Sequence, residues 1–512
     1  MTTTIVVGSG SSGGPLAARL SEDPDQHVIL VEAGPDYAGP DALPQQLRDA
    51  DAFDPALFGH DWGLQGHAVE PPGSRPPIAY PRGRLMGGSS AVNGAVAQRA
   101  IPEDLDGWVA AGNDAWSWEA CLSFYRRLER DLDFGDRPGH GADGPVPISR
   151  IWPAEWPQVT QAFAAACAAM GHPRCDDANA PDATGVGPFP RNRLGRRRAS
   201  ALAAYLDPAR SRPNLELRPD TVVDRVLFAG RRAVGVEARH GASTTAERIV
   251  ADRVVLSAGV VKSPQILMLS GIGPAEHLRR HGIAVLADLP VGCRLVDHPA
   301  IAVLAPAAHP QPALWGPRAE LQLTSRDGPR NDLWVVPSLV APDVLGPAAP
   351  PGLDALVLLS GAIGKPRSAG HLQLRSSDPA QAPALHLNFL DDPADRRRAR
   401  EVARLLHELT TRSPVADELG PVLAPIPGDA ADDVLDTWLR ANVTTALHGA
   451  CTCPMGPRGE AGAVVDQQLA VHDVDGLYVA DASVMPEITT SVINLTCFMI
   501  GERMADLLLA RG

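Results

Sequence analysis

The stretch that decides the fold is residues 2–34, "TTTIVVGSGSSGGPLAARLSEDPDQHVILVEAG". It reads as a β-branched strand, a glycine turn, a helix and a second apolar strand that ends on Glu32, which is a βαβ unit. Gly8, Gly10 and Gly13 form G-x-G-x-x-G directly after the strand and directly before the helix. Gly8 permits the tight turn, Gly10 lets the backbone approach a pyrophosphate, and Gly13 lets helix and strand pack closely. The unpaired N–H groups at the helix start can then receive the phosphate. Glu32 stands where an acidic side chain can accept from a ribose 2′-hydroxyl. Glycines that only make a turn are the plain alternative. With strand, helix and acid in register, the segment predicts dinucleotide binding, without separating NAD from FAD.

The rest of the chain is consistent with a large globular protein. Its 512 residues suffice for two or more domains and a sizeable core. Apolar residues make up 45% and charged residues 21%, an ordinary balance. No run approaches the roughly eighteen apolar residues of a membrane span. The opening "MTTTIVVGSG" has no basic start and no cleavage site, so the expected location is the cytoplasm. A net charge of −14, with the charges interspersed, argues against nucleic acid as a partner, because neutralising phosphates needs a basic patch. Of the 46 basic residues only Lys262 and Lys365 are lysines, a bias that suggests a GC-rich bacterial genome. The seven cysteines are scattered and read as reduced thiols. Cys451 and Cys453 lack a second pair at zinc spacing, so no metal site is expected.

Residues 36–80, rich in proline, glycine and aspartate, read as a long irregular excursion. An amphipathic helix is predicted over 115–134, entered at Ser117, with Leu122, Tyr125 and Leu128 on one face. Residues 216–260 read as short strands, with a hairpin turn at "AGRR", ending in a buried apolar strand. A glycine-closed helix follows. Short strands return over 300–390, and 393–411 is a helix. A further helix starts just after Asn494, with Glu502 and Arg503 breaking its apolar run. Nucleotide-type elements at 1–35, 216–300 and 470–512 are separated by stretches of other character, so one domain is assembled from distant pieces.

A second glycine motif is "YPRGRLMGGSSAVNGAV", residues 80–96. On spacing alone, a turn and a ligand loop are equally good readings. This run resembles a signature of the glucose–methanol–choline oxidoreductases, and "AGVVKSPQILMLSGIG" (258–273) resembles the second signature of that family. "LPVGCRLVDHP" (289–299), "HGACTCPMG" (448–456) and "VVDQQLAVHDVDGLYVADASVMP" (464–486) continue the likeness in the family's order.

The resemblance implies FAD as cofactor, without NAD. By motif, Gly8, Gly10, Gly13 and Glu32 would hold its ADP half, and Val223 would lend backbone to the adenine. Gly87, Ser90, Asn93 and Gly94 would lie along the flavin and pyrophosphate, while Asp481 and Ala482 would reach the ribitol and phosphate. Members that attach FAD covalently through this loop carry a histidine just before the asparagine. This chain has Val92, so non-covalent FAD is expected.

His448, taken alone, would read as a structural histidine. Its match to the family's catalytic histidine implies a general base that accepts the proton of an alcohol while hydride leaves the adjacent carbon for flavin N5. The family's second catalytic histidine or asparagine lies fourteen residues before the aspartate of the C-terminal helix, here Asp506, and that count lands on Val492. Asn494 matches a position where many members also carry asparagine, as a flavin anchor or a helix cap. Three readings stay open: Asn494 substitutes through a shift of backbone, another residue supplies the partner, or the chemistry needs none. His140 and His298 read as structural. Trp62, Trp116 and Trp118 read as core or packing residues.

The expectation is an α/β protein with a Rossmann-like FAD domain (1–150, 200–300 and 440–512). A discontinuous substrate domain of antiparallel sheet and helices would come from 150–200 and 300–440. The expected reaction is oxidation of a small alcohol to a carbonyl, with oxygen or another carrier taking the electrons. The rival reading is a lyase or light-driven decarboxylase on the same scaffold, suggested by Val492. A flavin-binding protein without catalysis is a third. Substrate and oligomeric state are not legible.

Overall fold

The computed structural model describes the chain apart from residues 40–41, 53–58, 242, 244, 310–315, 343–351 and 511–512. Parts of the predicted excursion at 36–80 and of the strands over 300–390 therefore lie outside the described residues.

A five-stranded parallel sheet is built from pieces far apart in sequence, in the order Leu215–Arg218, Gln26–Val31, Thr2–Val7, Arg253–Leu256, Leu477–Val479. Buried on both faces, these strands are near-continuous apolar runs such as "IVV" and "VVL", as a covered parallel sheet requires. Val7 lies opposite both Val31 and Leu256, so neighbouring strands finish level. Gly8, Glu32 and Ser257 thus gather at the carboxyl edge, the end where open α/β sheets bind ligands. The helix Gly13–Leu20 returns across one face. A Cβ on Gly13 would overlap the carbonyl of Gly8, so the close packing predicted for that glycine is observed.

The C-terminal helix spans Asn494–Leu509 and packs on Gly13–Leu20, with Gly501 against the backbone of Ser12. It starts at Asn494 itself, so that residue is not the helix cap. Glu502 and Arg503 do not mark a solvent face, since both are buried. Glu502 accepts from Arg19 Nε at 2.9 Å, Arg127 Nε at 2.7 Å and the Tyr205 hydroxyl at 2.6 Å.

The helix entered at Ser117 is shorter than its periodicity suggested and stops at Leu128. Glu129–Asp131 continues as a strand, because its two acids are drawn into a buried ionic cluster with Arg99, Arg150 and His140. The hairpin at "AGRR" joins Thr221–Ala229 to Arg232–His240, and the helix Pro393–Thr411 has the predicted bounds.

A larger antiparallel sheet runs in the order Thr444–Thr445, Pro299–Pro306, Leu356–Ile363, Leu333–Val340, Ala319–Leu323, Gly185–Pro188. Along Leu333–Val340 the odd-numbered side chains are buried in the core, while Trp334 and Ser338 are half-buried. The odd face meets the helix Pro393–Thr411, where Val402 sits on Gly361. The even face looks into a cavity that reaches back to the glycine loop.

Candidate active site

One cavity joins the carboxyl edge of the parallel sheet to the even face of the antiparallel sheet, and most of the predicted site residues meet on its wall. Gly8, Gly10, Glu32, Asn93, Gly94, Val223, Asp481, Ala482, Asn494 and His448 all line it. Gly13, Gly87 and Ser90 do not. Gly87 holds a left-handed turn (φ +95°), and the buried Ser90 hydroxyl donates to the Gly87 carbonyl at 2.7 Å while accepting from Ala201 N at 2.8 Å. They brace the loop, and their neighbours Gly88 and Ser89 face the cavity instead. A motif match cannot tell which residues of a tight turn point inward.

Three observations test the cavity against FAD. The backbones of Gly10 and Gly88 confront one another, and a Cβ on Gly88 would come within 2.7 Å of the Gly10 Cα, whereas one on Gly10 would meet nothing nearer than 3.8 Å. Two converging glycine loops make a cleft that only unsubstituted backbone leaves open. Asn494 accepts from the Ser11 hydroxyl at 2.9 Å, but its amide Nδ2 is buried without a partner and waits for an acceptor. Glu32 accepts from Ser9 N and Oγ at 3.0 and 2.7 Å and from Gly34 N at 3.2 Å, with burial raising its proton affinity. The residues present fit the cofactor, with Asn494 hydrogen-bonded to the glycine loop.

Asp481 serves as a brace. Its Oδ2 accepts from Gly259 N and Ser263 Oγ, and its Oδ1 from Ser483 N. That ties the segment after the last parallel strand to the helix Gly259–Leu269.

At the other end of the cavity, His448 is held by two consecutive residues of "VDHP". Asp297 Oδ1 accepts from His448 N at 2.9 Å, and its Oδ2 accepts from Tyr80 and from Thr445 Oγ1, each at 2.7 Å. Leu447 and Cys451 hold left-handed backbone (φ +66° and +70°), unusual for such residues, on either side of the imidazole.

His298, expected to be structural, lies with Nδ1 3.0 Å from His448 Nδ1. Its Nε2 is 2.9 Å from the Thr489 carbonyl. A carbonyl only accepts, so His298 Nε2 carries its proton and a neutral His298 Nδ1 is a lone pair. His448 must then donate from Nδ1, which leaves His448 Nε2 as an unprotonated base. Both rings are neutral. Burial depresses the proton affinity of His298, and burial, His298 and the cation of Arg82 hold that of His448 well below the usual imidazole range.

Val492 lines the cavity and offers no hydrogen bond. Arg82 was missed as a site residue although it stands in the quoted second motif. It lies on the wall over the ring of Tyr80, at 4.1 Å; its backbone N–H donates to Asp61 and its Nη1 to the Pro81 carbonyl, each at 2.8 Å, and among the described residues its guanidinium forms no ion pair. Trp62, expected as a core or packing residue, packs against the core and also lines the cavity wall between Arg84 and Lys262, at 5.0 and 4.3 Å from its ring. Trp116 is fully buried, as expected.

Two GMC oxidoreductase family models match the chain, over residues 3–300 and 366–501. The chain is 37% identical to a 5-(hydroxymethyl)furfural oxidase of Methylovorus sp. (strain MP688), covering 99% of this chain and 98% of that protein. It is 35% identical to an oxygen-dependent choline dehydrogenase of Escherichia coli O17:K52:H18, covering 98% and 95%. Among solved structures, pyridoxine 4-oxidase from Mesorbium loti superposes with a TM-score of 0.88 at 31% identity, covering 100% and 99%. No helix among the described residues is long and apolar enough to cross a membrane. On these matches the chain belongs to the GMC oxidoreductases and is an FAD-dependent alcohol oxidoreductase.

Proposed function

We propose that this enzyme oxidises small uncharged alcohols to carbonyl compounds, with His448 Nε2 taking the hydroxyl proton. The observation that carries this reading is the chain from the Thr489 carbonyl through His298 to His448, which leaves one ring nitrogen bare on the cavity side. FAD, when bound, supplies the two-electron acceptor at the flavin N5. A base of depressed proton affinity stays unprotonated at neutral pH, and the backbone clamp of Asp297 fixes where it points. Val492 gives the substrate oxygen no second partner, and Asn494 is tied through its Oδ1 to Ser11 of the glycine loop, its Nδ2 left for the cofactor. These positions favour a chemistry in which His448 acts on the substrate oxygen alone.

Non-covalent FAD is supported by Val92, buried on the cavity wall with no nucleophilic atom. Acid precipitation should release yellow flavin into the supernatant; flavin retained in the pellet contradicts this. Oxygen or another carrier would reoxidise it.

The substrate end is walled by Phe189, Trp334, Val336 and Leu358. The carboxylates on the cavity wall among the described residues, Glu32, Asp224 and Asp481, lie on the nucleotide side. This suits flat, neutral alcohols, a class that includes the compounds named for the furfural and pyridoxine oxidases. It suits the cation of the choline enzymes less well. Anaerobic mixing with benzyl, furfuryl and choline alcohols is the test. The flavin should bleach with the two aryl alcohols; bleaching by choline alone contradicts the reading.

A further inference from the structure

Two hydroxyls interrupt the apolar floor of the substrate end, and the protein makes no use of either. In the antiparallel pair Leu333–Val340 and Leu356–Ile363, Trp334 lies opposite Ala362, Val336 opposite Ser360, and Ser338 opposite Leu358. Directly opposed residues share a face, and this is the face that lines the cavity. Beyond the backbone ladder, neither the Ser338 nor the Ser360 hydroxyl has a hydrogen-bond partner among the described residues. A serine in a strand ordinarily satisfies its hydroxyl locally or in bulk water. One aimed into an apolar cavity is unfavourable until a ligand or an ordered water meets it.

The spacing from the Trp334 row is set by the sheet. Trp334 contacts the His448 imidazole, ring centroids 6.3 Å apart, so the Trp334 row marks the reacting end. At the usual rise per strand residue, the Val336–Ser360 row lies about 7 Å further along and the Ser338–Leu358 row about 13 Å. The nearer distance is of the order that separates substituents on opposite sides of one aromatic ring. Between the Trp334 row and that hydroxyl, Val335 and Gly361 face the other side of the sheet, so a flat ring can span the gap.

We propose that Ser360 and Ser338 are specificity residues that bind a second hydrogen-bonding group of the substrate. The preferred substrate is then an uncharged aromatic alcohol bearing a hydroxyl or carbonyl across the ring from the carbon that is oxidised. The inference rests on the reading of His448 as the base at the opposite end, and its test is a binding measurement that needs no turnover.

FAD-loaded His448→Ala protein is titrated anaerobically with 1,4-benzenedimethanol and with benzyl alcohol, and binding is read from the perturbation of flavin absorbance. The bifunctional ligand should bind about tenfold more tightly, the effect of one or two neutral hydrogen bonds. Adding Ser360→Ala and Ser338→Ala should bring the ratio of the two dissociation constants close to one, while Ser360→Thr, which keeps the hydroxyl, should retain most of it. Equal binding of the two ligands with both serines present overturns the proposal. So does a ratio that survives loss of both, or no binding of either ligand. Oxidation is read separately, as bleaching of the protein that keeps His448, so a failure there counts against the base and not against the serines.

Discussion

At the scale of single residues, the proposed chemistry depends on how two imidazoles share their protons. His298 donates to Thr489 and accepts from His448, and the pair can hold only one arrangement of protons while both rings are neutral. On the proposed mechanism His298 is a positioning residue, and its effect should separate from a packing effect. His298→Ala should retain FAD but slow anaerobic flavin reduction by about tenfold to a hundredfold, as expected when a base loses its fixed geometry. It should also move the acid limb of the reduction rate upward, because His298 helps to depress the proton affinity of His448. An unchanged pH profile would assign His298 a packing role. None of this was legible in "VDHP". The two histidines are 150 positions apart, and only the path of the loop before Pro299 brings them together. The match of His448 and the substitution at Val492 could be read from sequence because both are local counts within motifs.

At the scale of elements, the proposed cofactor cleft lies between two glycine turns. The first was readable, since strand, turn and helix occupy consecutive residues with a fixed hydrophobic period. The second was readable as a motif but not in detail. Gly88 and Ser89 face the cleft, whereas Gly87 and Ser90 support the turn from behind. Gly88→Ala would place a Cβ 2.7 Å from the Gly10 Cα at a residue of φ +53°. Such protein should purify with little flavin and bind added FAD at least tenfold more weakly, which a flavin-to-protein absorbance ratio and a fluorescence titration would measure. Full flavin content would contradict the proposed cleft. The helix entered at Ser117 shows the opposite limit of sequence reading. Its periodicity continues past Leu128, but burial of Glu129 and Asp131 beside Arg99 and Arg150 turns the chain into a strand, and such partners are set by tertiary structure.

At the scale of the whole molecule, buried titratable groups should limit stability from both sides of neutrality. His298, which is buried, and His448, which is half-buried, both have depressed proton affinity. As pH falls below the unfolded value of about 6.5, the unfolded chain takes up protons that the native state refuses, and stability is lost toward acid. His140 has the opposite sign. Burial alone would lower its proton affinity, but hydrogen bonds to Asp131, Asp177 and Glu129 override that and push it up to about 10. Its contribution is therefore complete below about pH 6.5 and is lost as pH rises through the folded value. Urea midpoints measured across pH should fall on both sides, and His140→Gln should lower the plateau and flatten the alkaline limb; an alkaline limb identical in the variant would remove His140 from this account. The core claim is that the bare Nε2 of His448 takes the substrate proton, and stopped-flow reduction of FAD-loaded His448→Ala by benzyl alcohol without oxygen tests it most directly. Yellow protein whose flavin is reduced on the order of a hundredfold or more slowly is the predicted result, and yellow protein reduced at the unaltered rate would contradict it.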